Sequence, residues 1–174
     1  MKKAAYLLSA VLGAGLAIAW AQGAGPPDHQ IAAIVVAANQ VDIDAGKLAK
    51  HRAHSAAVRA FAKRMVTDHT GVNRSAVALV EELHVTPESN PTSVCLTQCG
   101  QSNLAKLRKL HGAAFDKAYI DHEVAYHETV INAMDKVLIP SAQNPQLKAT
   151  LVKVRPLFVD HLEHAKQIQA SLDN

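Results

Sequence analysis

Four stretches of this chain repeat an apolar residue every three to four positions over roughly 25 residues each, and none alternates with period two. Such a pattern commits the chain to helices that turn one stripe inward, and leaves no candidate for a sheet. The first stripe, behind Pro26-Pro27 and a candidate N-cap at Asp28, runs Ile31, Ile34, Val35, Ala38, Val41, Ala45, Leu48. The second follows Ser55 with Val58, Phe61, Met65, Val72, Ala76, Leu79, Leu83 and stops before Pro87. Between Gly112 and Pro140 lies a third, Phe115, Tyr119, Ile120, Val124, Ile131, Met134, Leu138. Asn144-Pro145, N-cap and first helical position, opens the fourth, Leu147 to Leu172, with Pro156 inside it expected to bend the helix or free a carbonyl.

Short connections join the first helix to the second and the third to the fourth. The longer segment Pro87–Ser102, rich in Pro, Ser, Thr, Asn and Gly, reads as an irregular crossover, and Leu104, Leu107 and Leu110 as a short helical lead-in broken at Gly112. The expected fold is all-α, an antiparallel four-helix bundle with a long crossover between its second and third helices.

Each stripe is interrupted once by a polar residue. Asp42 stands between Ala38 and Ala45, His69 between Met65 and Val72, His127 between Val124 and Ile131, and His161 between Phe158 and Ala165. Counted from the turns, all four fall near the middle of the bundle. Buried imidazole and carboxylate must either satisfy one another, with Tyr119 or Tyr126 helping, or hold a ligand. Neutral imidazole with carboxylate suits zinc, iron, manganese or copper. Glu123, one turn before His127, is placed as a further ligand or an orienting carboxylate, and Asp121, Asp68, Asp160 and Glu163 are acidic neighbours. His164 follows His161 by three residues, at a metal-binding spacing or a solvated edge. Glu81 and His84 form a single Glu-x-x-His at a helix end, whereas di-iron bundles need two such pairs at mid-helix. A mononuclear or purely structural layer is therefore preferred. No nucleophile elbow or phosphate-binding loop is present, so nucleophilic catalysis has little support, and whether the chain is an enzyme stays open, with the balance against it.

The expected address is outside the cytoplasm. Lys2 and Lys3 precede the apolar run Ala4–Trp20, and Ala19-Trp20-Ala21 is a small-x-small cleavage site, giving a signal peptide at 1–21, a linker at 22–27 and one domain over 28–174. The apolar run is short for a membrane span, so none is expected after cleavage. The remaining chain carries 16 Lys and Arg against 15 Asp and Glu, with no basic stripe and few aromatics, which argues against a nucleic-acid partner. Export would place Cys95 and Cys99 in an oxidising compartment, where a disulfide is expected and a soft metal on the pair is the alternative.

Taken together, Arg64-Met65-Val66-Thr67-Asp68-His69, Phe115-Asp116-Lys117-Ala118-Tyr119, His127, and Pro156 with His161-Leu162 resemble, over about Asp28 to Leu172, the secreted ferritin-like proteins of the domain of unknown function 4142 family. The resemblance implies an exported ferritin-like bundle of the periplasm or outer membrane, with no agreed activity. It places His69, His127 and His161 on the family's typical histidines and Asp121 on a commonly acidic position. Asp42 departs from a more usual glutamate, and the cysteine pair, His122 and His164 look like additions. Three functions remain in contention: a metal-binding envelope protein, a structural or stress-related protein with a hydrogen-bonded polar layer, and a mononuclear-metal redox enzyme, the last by analogy alone.

Overall fold

The computed structural model describes residues 25–173, so the expected signal peptide lies outside the described residues. They are all-helical, without a strand, in five main helices: α1 (Asp28–Arg52), α2 (Ala56–Glu82), α3 (Pro91–Leu107), α4 (Gly112–Ala133) and α5 (Pro145–Leu172). None of the described helices is long and apolar enough to cross a membrane. α1 lies along α2 and carries α3 beside it, while α4 pairs with α5 and α5 also meets α2.

Segment Pro87–Ser102 departs from expectation. Rather than an irregular crossover, most of it belongs to α3, and Leu104 and Leu107 are the end of that helix. Asn90 accepts from the backbone N–H of Thr92 and Ser93, while the Ser93 hydroxyl accepts from the Asn90 N–H. With Pro91 at the first turn, this is the same Asn-Pro start that opens α5, where Asn144 accepts from Gln146 and Leu147. Leu96, Gly100 and Leu107 are buried, and a Cβ at Gly100 would come 2.9 Å from Val41 Cγ2, so only glycine lets α3 sit this close to α1.

Pro140 does not end the third apolar stretch as expected. α4 passes into a π-helical turn, Met134–Leu138, and a last helical turn, Ile139–Ser141. In a continuous α-helix the Pro140 ring would press on the carbonyl four residues back, and the wider turn, with Ile139 N–H donating to Met134 O, precedes it. Pro156 sits within an unbroken α5, and the carbonyl it leaves without a donor belongs to exposed Val152.

Two carboxylates clasp the tight turns from across the molecule. Asp28 is the first residue of α1 rather than its N-cap, and its side chain accepts from Gln143 N (2.9 Å) and Asn144 N (2.8 Å) in front of α5. Ser55 occupies the N-cap position of α2 without a side-chain cap bond. Asp116 of α4, which is buried, holds the turn in front of α2 instead, accepting from His54 N (2.9 Å) and Ser55 N (2.6 Å). Asp116→Ala leaves two backbone donors without acceptors, an expected loss of about 2–4 kcal/mol, readable as a fall of roughly 5–15 °C in melting temperature by circular dichroism.

The core divides in two. Ala49, Phe61, Met65, Phe115, Tyr119 and Ile168 pack at the end nearer the α1–α2 turn, and Ile31, Leu96, Met134, Leu138, Leu151 and Phe158 at the other. Between the two clusters lies a layer of buried polar groups.

Candidate metal centre

Five side chains meet in this layer: Asp42 from α1, His69 from α2, Glu123 and His127 from α4, and His161 from α5, each at most 1 % exposed. The rings of His69, His127 and His161 form a near-regular triangle, with centroids 5.6 Å (69–127), 5.1 Å (69–161) and 5.5 Å (127–161) apart. Each of the three offers a ring nitrogen within 4.8 Å of the others, and Asp42, Glu123 and His127 form a second such group that shares His127.

Hydrogen bonds fix which nitrogen of each ring carries a proton. Asn39 Nδ2 donates to Val35 O (2.8 Å), which turns Asn39 Oδ1 toward His69, so His69 Nδ1–H donates to it at 2.7 Å. His127 Nδ1 lies 3.0 Å from the backbone oxygen of Glu123, an acceptor only, and is likewise the protonated nitrogen. His161 Nε2 donates to Asp68 Oδ2 (2.8 Å), and Arg64 in turn binds both Asp68 and Asp160. The opposite nitrogens, His69 Nε2, His127 Nε2 and His161 Nδ1, are buried and have no hydrogen-bond partner. Three lone pairs are thus turned away from three proton-tethered edges, as in histidines oriented by outer acceptors around a metal.

Electrostatics favours the ligating form of each ring. Burial holds the imidazoles neutral: His69 titrates well below the ordinary histidine value, with His127 and His161 adding to the effect, and His127 is pushed down to about 3. His161 is lowered by burial against the opposing pull of Asp68. The carboxyl groups go the other way. Burial raises Glu123 to about 8, and raises Asp42 strongly, with Glu123 beside it contributing. Neither oxygen of Glu123, nor Asp42 Oδ2, nor the Tyr119 hydroxyl makes a hydrogen bond of ordinary geometry, although Glu123 Oε2 stands 3.5 Å from His127 Nδ1 and Asp42 Oδ2 3.5 Å from His69 Nδ1. Phe158 closes the layer edge-on, its ring 5.1 Å from that of His69.

His69, His127, His161, Asp42 and Glu123 are therefore brought together as the stripes predict, and Asp42 is long enough to reach its neighbours. Asp121 is not among them. It is two residues from Glu123 and so roughly on the opposite face of α4, where it is half-exposed and pairs with Lys117 (3.3 Å) and Gln169 (2.8 Å). Asp68 serves His161, on another helix, instead of its neighbour His69; Asp160 binds Arg64, and Glu163 is exposed. His164 packs edge-on against Phe61 at 5.4 Å, outside the layer. Tyr126 donates to Ala38 O. Glu81 and His84 are exposed at the end of α2, where His84 takes the left-handed conformation (φ 51°) that closes the helix. Asn39 was not anticipated; its one signal is a position three residues before Asp42 on the inward side of α1. The expected disulfide is not formed: Cys95 and Cys99 are free thiols one turn apart on α3, Sγ to Sγ 3.6 Å.

A family model described as domain of unknown function (DUF4142) matches residues 16–168. The chain belongs to the DUF4142 family. No curated protein and no solved structure matches it. Among the residues through which the chain resembles this family, His69, His127 and His161 are those whose inner nitrogens are without partners, and Arg64, Asp68 and Asp116 are the ones that orient His161 and the start of α2.

Proposed function

We propose that this DUF4142 protein is an exported, ferritin-like four-helix bundle, built from α1, α2, α4 and α5 with α3 as an added helix, that binds one transition-metal ion. His69 Nε2, His127 Nε2 and His161 Nδ1 would be the protein ligands, and Asp42 and Glu123 the neighbouring carboxylates that balance its charge. The observation that carries this reading is the pairing pattern of the rings: every outer nitrogen has an acceptor, and every inner nitrogen has none. A layer serving helix register alone would be expected to join the histidines to one another, since a buried unsatisfied donor or acceptor costs about 1–3 kcal/mol. Zinc, iron, manganese and copper all take imidazole with carboxylate, and three protein ligands leave further coordination positions. Export rests on Lys2-Lys3, the apolar run behind them and Ala19-Trp20-Ala21.

Metal content is the direct test. Protein isolated from the cell envelope of metal-replete cells should carry close to one zinc, iron, manganese or copper ion per chain, and the His69→Ala, His161→Ala double variant less than about a tenth of that. Equal content in the two, or metal in neither, overturns the reading.

A further inference from the structure

A second cavity lies outside the polar layer. Few contacts join α3 to α4 although each packs on other helices, and between them opens a space of about 700 Å³ floored by α1 and α5. That is the size of a site for a small organic molecule, such sites running roughly 300–1,000 Å³. The space is elongated. Its lining reaches from His122 to Leu138 along α4 and its π turn, and from Thr92 to Lys106 along α3, roughly 20 Å on either wall at the helical rise.

The one cationic side chain and the buried polar atoms without partners lie at one end. α3 and α4 run antiparallel through the short turn near Leu110, so the C-terminal part of α3 and the N-terminal part of α4 share an end, which receives Asn103, Lys106 and His122. Among the described residues, Asn103 Nδ2 and His122 Nε2 are buried there without a hydrogen-bond partner, and the exposed Lys106 makes no ion pair with a carboxylate. Burial together with the nearby Lys106 charge lowers His122 to about 4, so the ring is neutral and can donate one hydrogen bond. Toward the other end the walls carry no charge and are mainly apolar, with Leu96, Val130, Met134, Leu138 and Leu151 beside Thr92, Cys95 and Thr129.

We propose that this cavity binds a long-chain fatty acid, its hydrocarbon chain lying between α3 and α4 and its carboxylate held at the end formed by Lys106, Asn103 and His122. A cation and two unpartnered polar groups at one end of a long apolar slot complement a single-chain anionic amphiphile. A cationic amphiphile would meet Lys106, and a short acid would leave the apolar end unfilled. None of His69, His127 and His161 lines the cavity, although Asn39 and Phe158 beside His69 do, and the inference does not depend on a metal being bound.

Calorimetric titration of the full chain with hexadecanoic acid, hexadecan-1-ol, octanoic acid and hexadecyltrimethylammonium, all as monomers, tests it. One hexadecanoate should bind per chain, at least about tenfold more tightly than octanoate or the ammonium compound. Lys106→Glu should weaken hexadecanoate by about five- to tenfold and hexadecan-1-ol by less than about twofold. Ala133→Phe, which intrudes on the apolar end, should weaken both, with melting temperature and helical circular dichroism showing that it folds. The proposal is overturned if hexadecanoate does not bind saturably, if octanoate binds as well, or if Lys106→Glu leaves hexadecanoate unchanged. It is also overturned if binding is seen only to phospholipid vesicles, or if the cavity is filled by a second copy in a dimer that hexadecanoate does not dissociate.

Discussion

Metal-free His127→Leu protein is expected to melt above the metal-free native chain, and the order should reverse once metal is added. His127 Nε2 is buried without a partner, so the native fold bears a desolvation cost of about 1–3 kcal/mol that a leucine of similar volume does not. For a chain of this length that gain is worth roughly 3–10 °C. A ligand bound only by the folded state, supplied at 100 to 1,000 times its dissociation constant, stabilises by about 2.7–4.1 kcal/mol, and only the native trio can claim it. Differential scanning calorimetry with chelator and with zinc gives all four temperatures. A leucine variant that melts below the native chain in chelator would mean that His127 holds the layer together without a ligand. A native chain indifferent to zinc, copper, iron and manganese would mean that the triangle holds none of them.

The second large effect is a dependence of stability on pH that Glu123→Gln removes. In the metal-free protein Glu123 is raised by burial to about 8 from an ordinary 4.5, so the fold prefers its carboxyl protonated. The unfolded chain releases that proton near pH 4.5 and the folded chain near pH 8. Stability from this group is therefore full below about pH 4.5 and is lost as pH rises toward 8, on the order of 5 kcal/mol in all. The buried histidines act in the opposite sense. Their folded values lie below the ordinary 6.5, so the fold excludes their protons, and their contribution is full above 6.5 and lost as pH falls toward about 3 for His127. Between pH 4.5 and 6.5 both contributions are partly lost, and three histidines outweigh two carboxyl groups, so native metal-free protein should be most stable near pH 6.5, weakening on both sides. Glu123→Gln should match it near pH 5 and exceed it by several kcal/mol at pH 8 in urea denaturation. Asp42, raised in the same direction by burial, keeps part of the alkaline loss in that variant. Equal urea midpoints for the two proteins at pH 8 would place Glu123 in a solvated setting, contrary to its burial.

How far these groups can be read from the chain depends on what places each one. α1, α2, α4 and α5 were legible because long stripes, Ser55, Gly112 and Asn144-Pro145 agree on where helices start. α3 was not, because Thr92, Ser93, Thr97, Gly100 and Ser102 are poor helix formers, and its helicity comes from the Asn90 cap and from packing on α1. The three histidines and Asp42 were legible as interruptions of period. Their orienting partners were not, since Asp68 reaches His161 across 93 residues and Asn39 reaches His69 across 30. Asp121 shows the limit of position in a motif: it is acidic, it is near His127 in the chain, and the helical phase turns it outward.

The two turn clasps have a bearing on how the chain reaches this fold. Asp116 bonds residues 61 and 62 positions earlier, and Asp28 bonds residues 115 and 116 positions later. Helix formation and the short turns need only local contacts, whereas these bonds require both helix pairs to be side by side, so they are expected to close after the folding barrier, which a comparison of refolding and unfolding rates for Asp28→Ala and Asp116→Ala would check. Weakening either carboxylate then speeds unfolding while leaving the refolding rate almost unchanged. Asp28 and Asp116 are in this sense latches, setting how long the folded molecule lasts more than how quickly it forms.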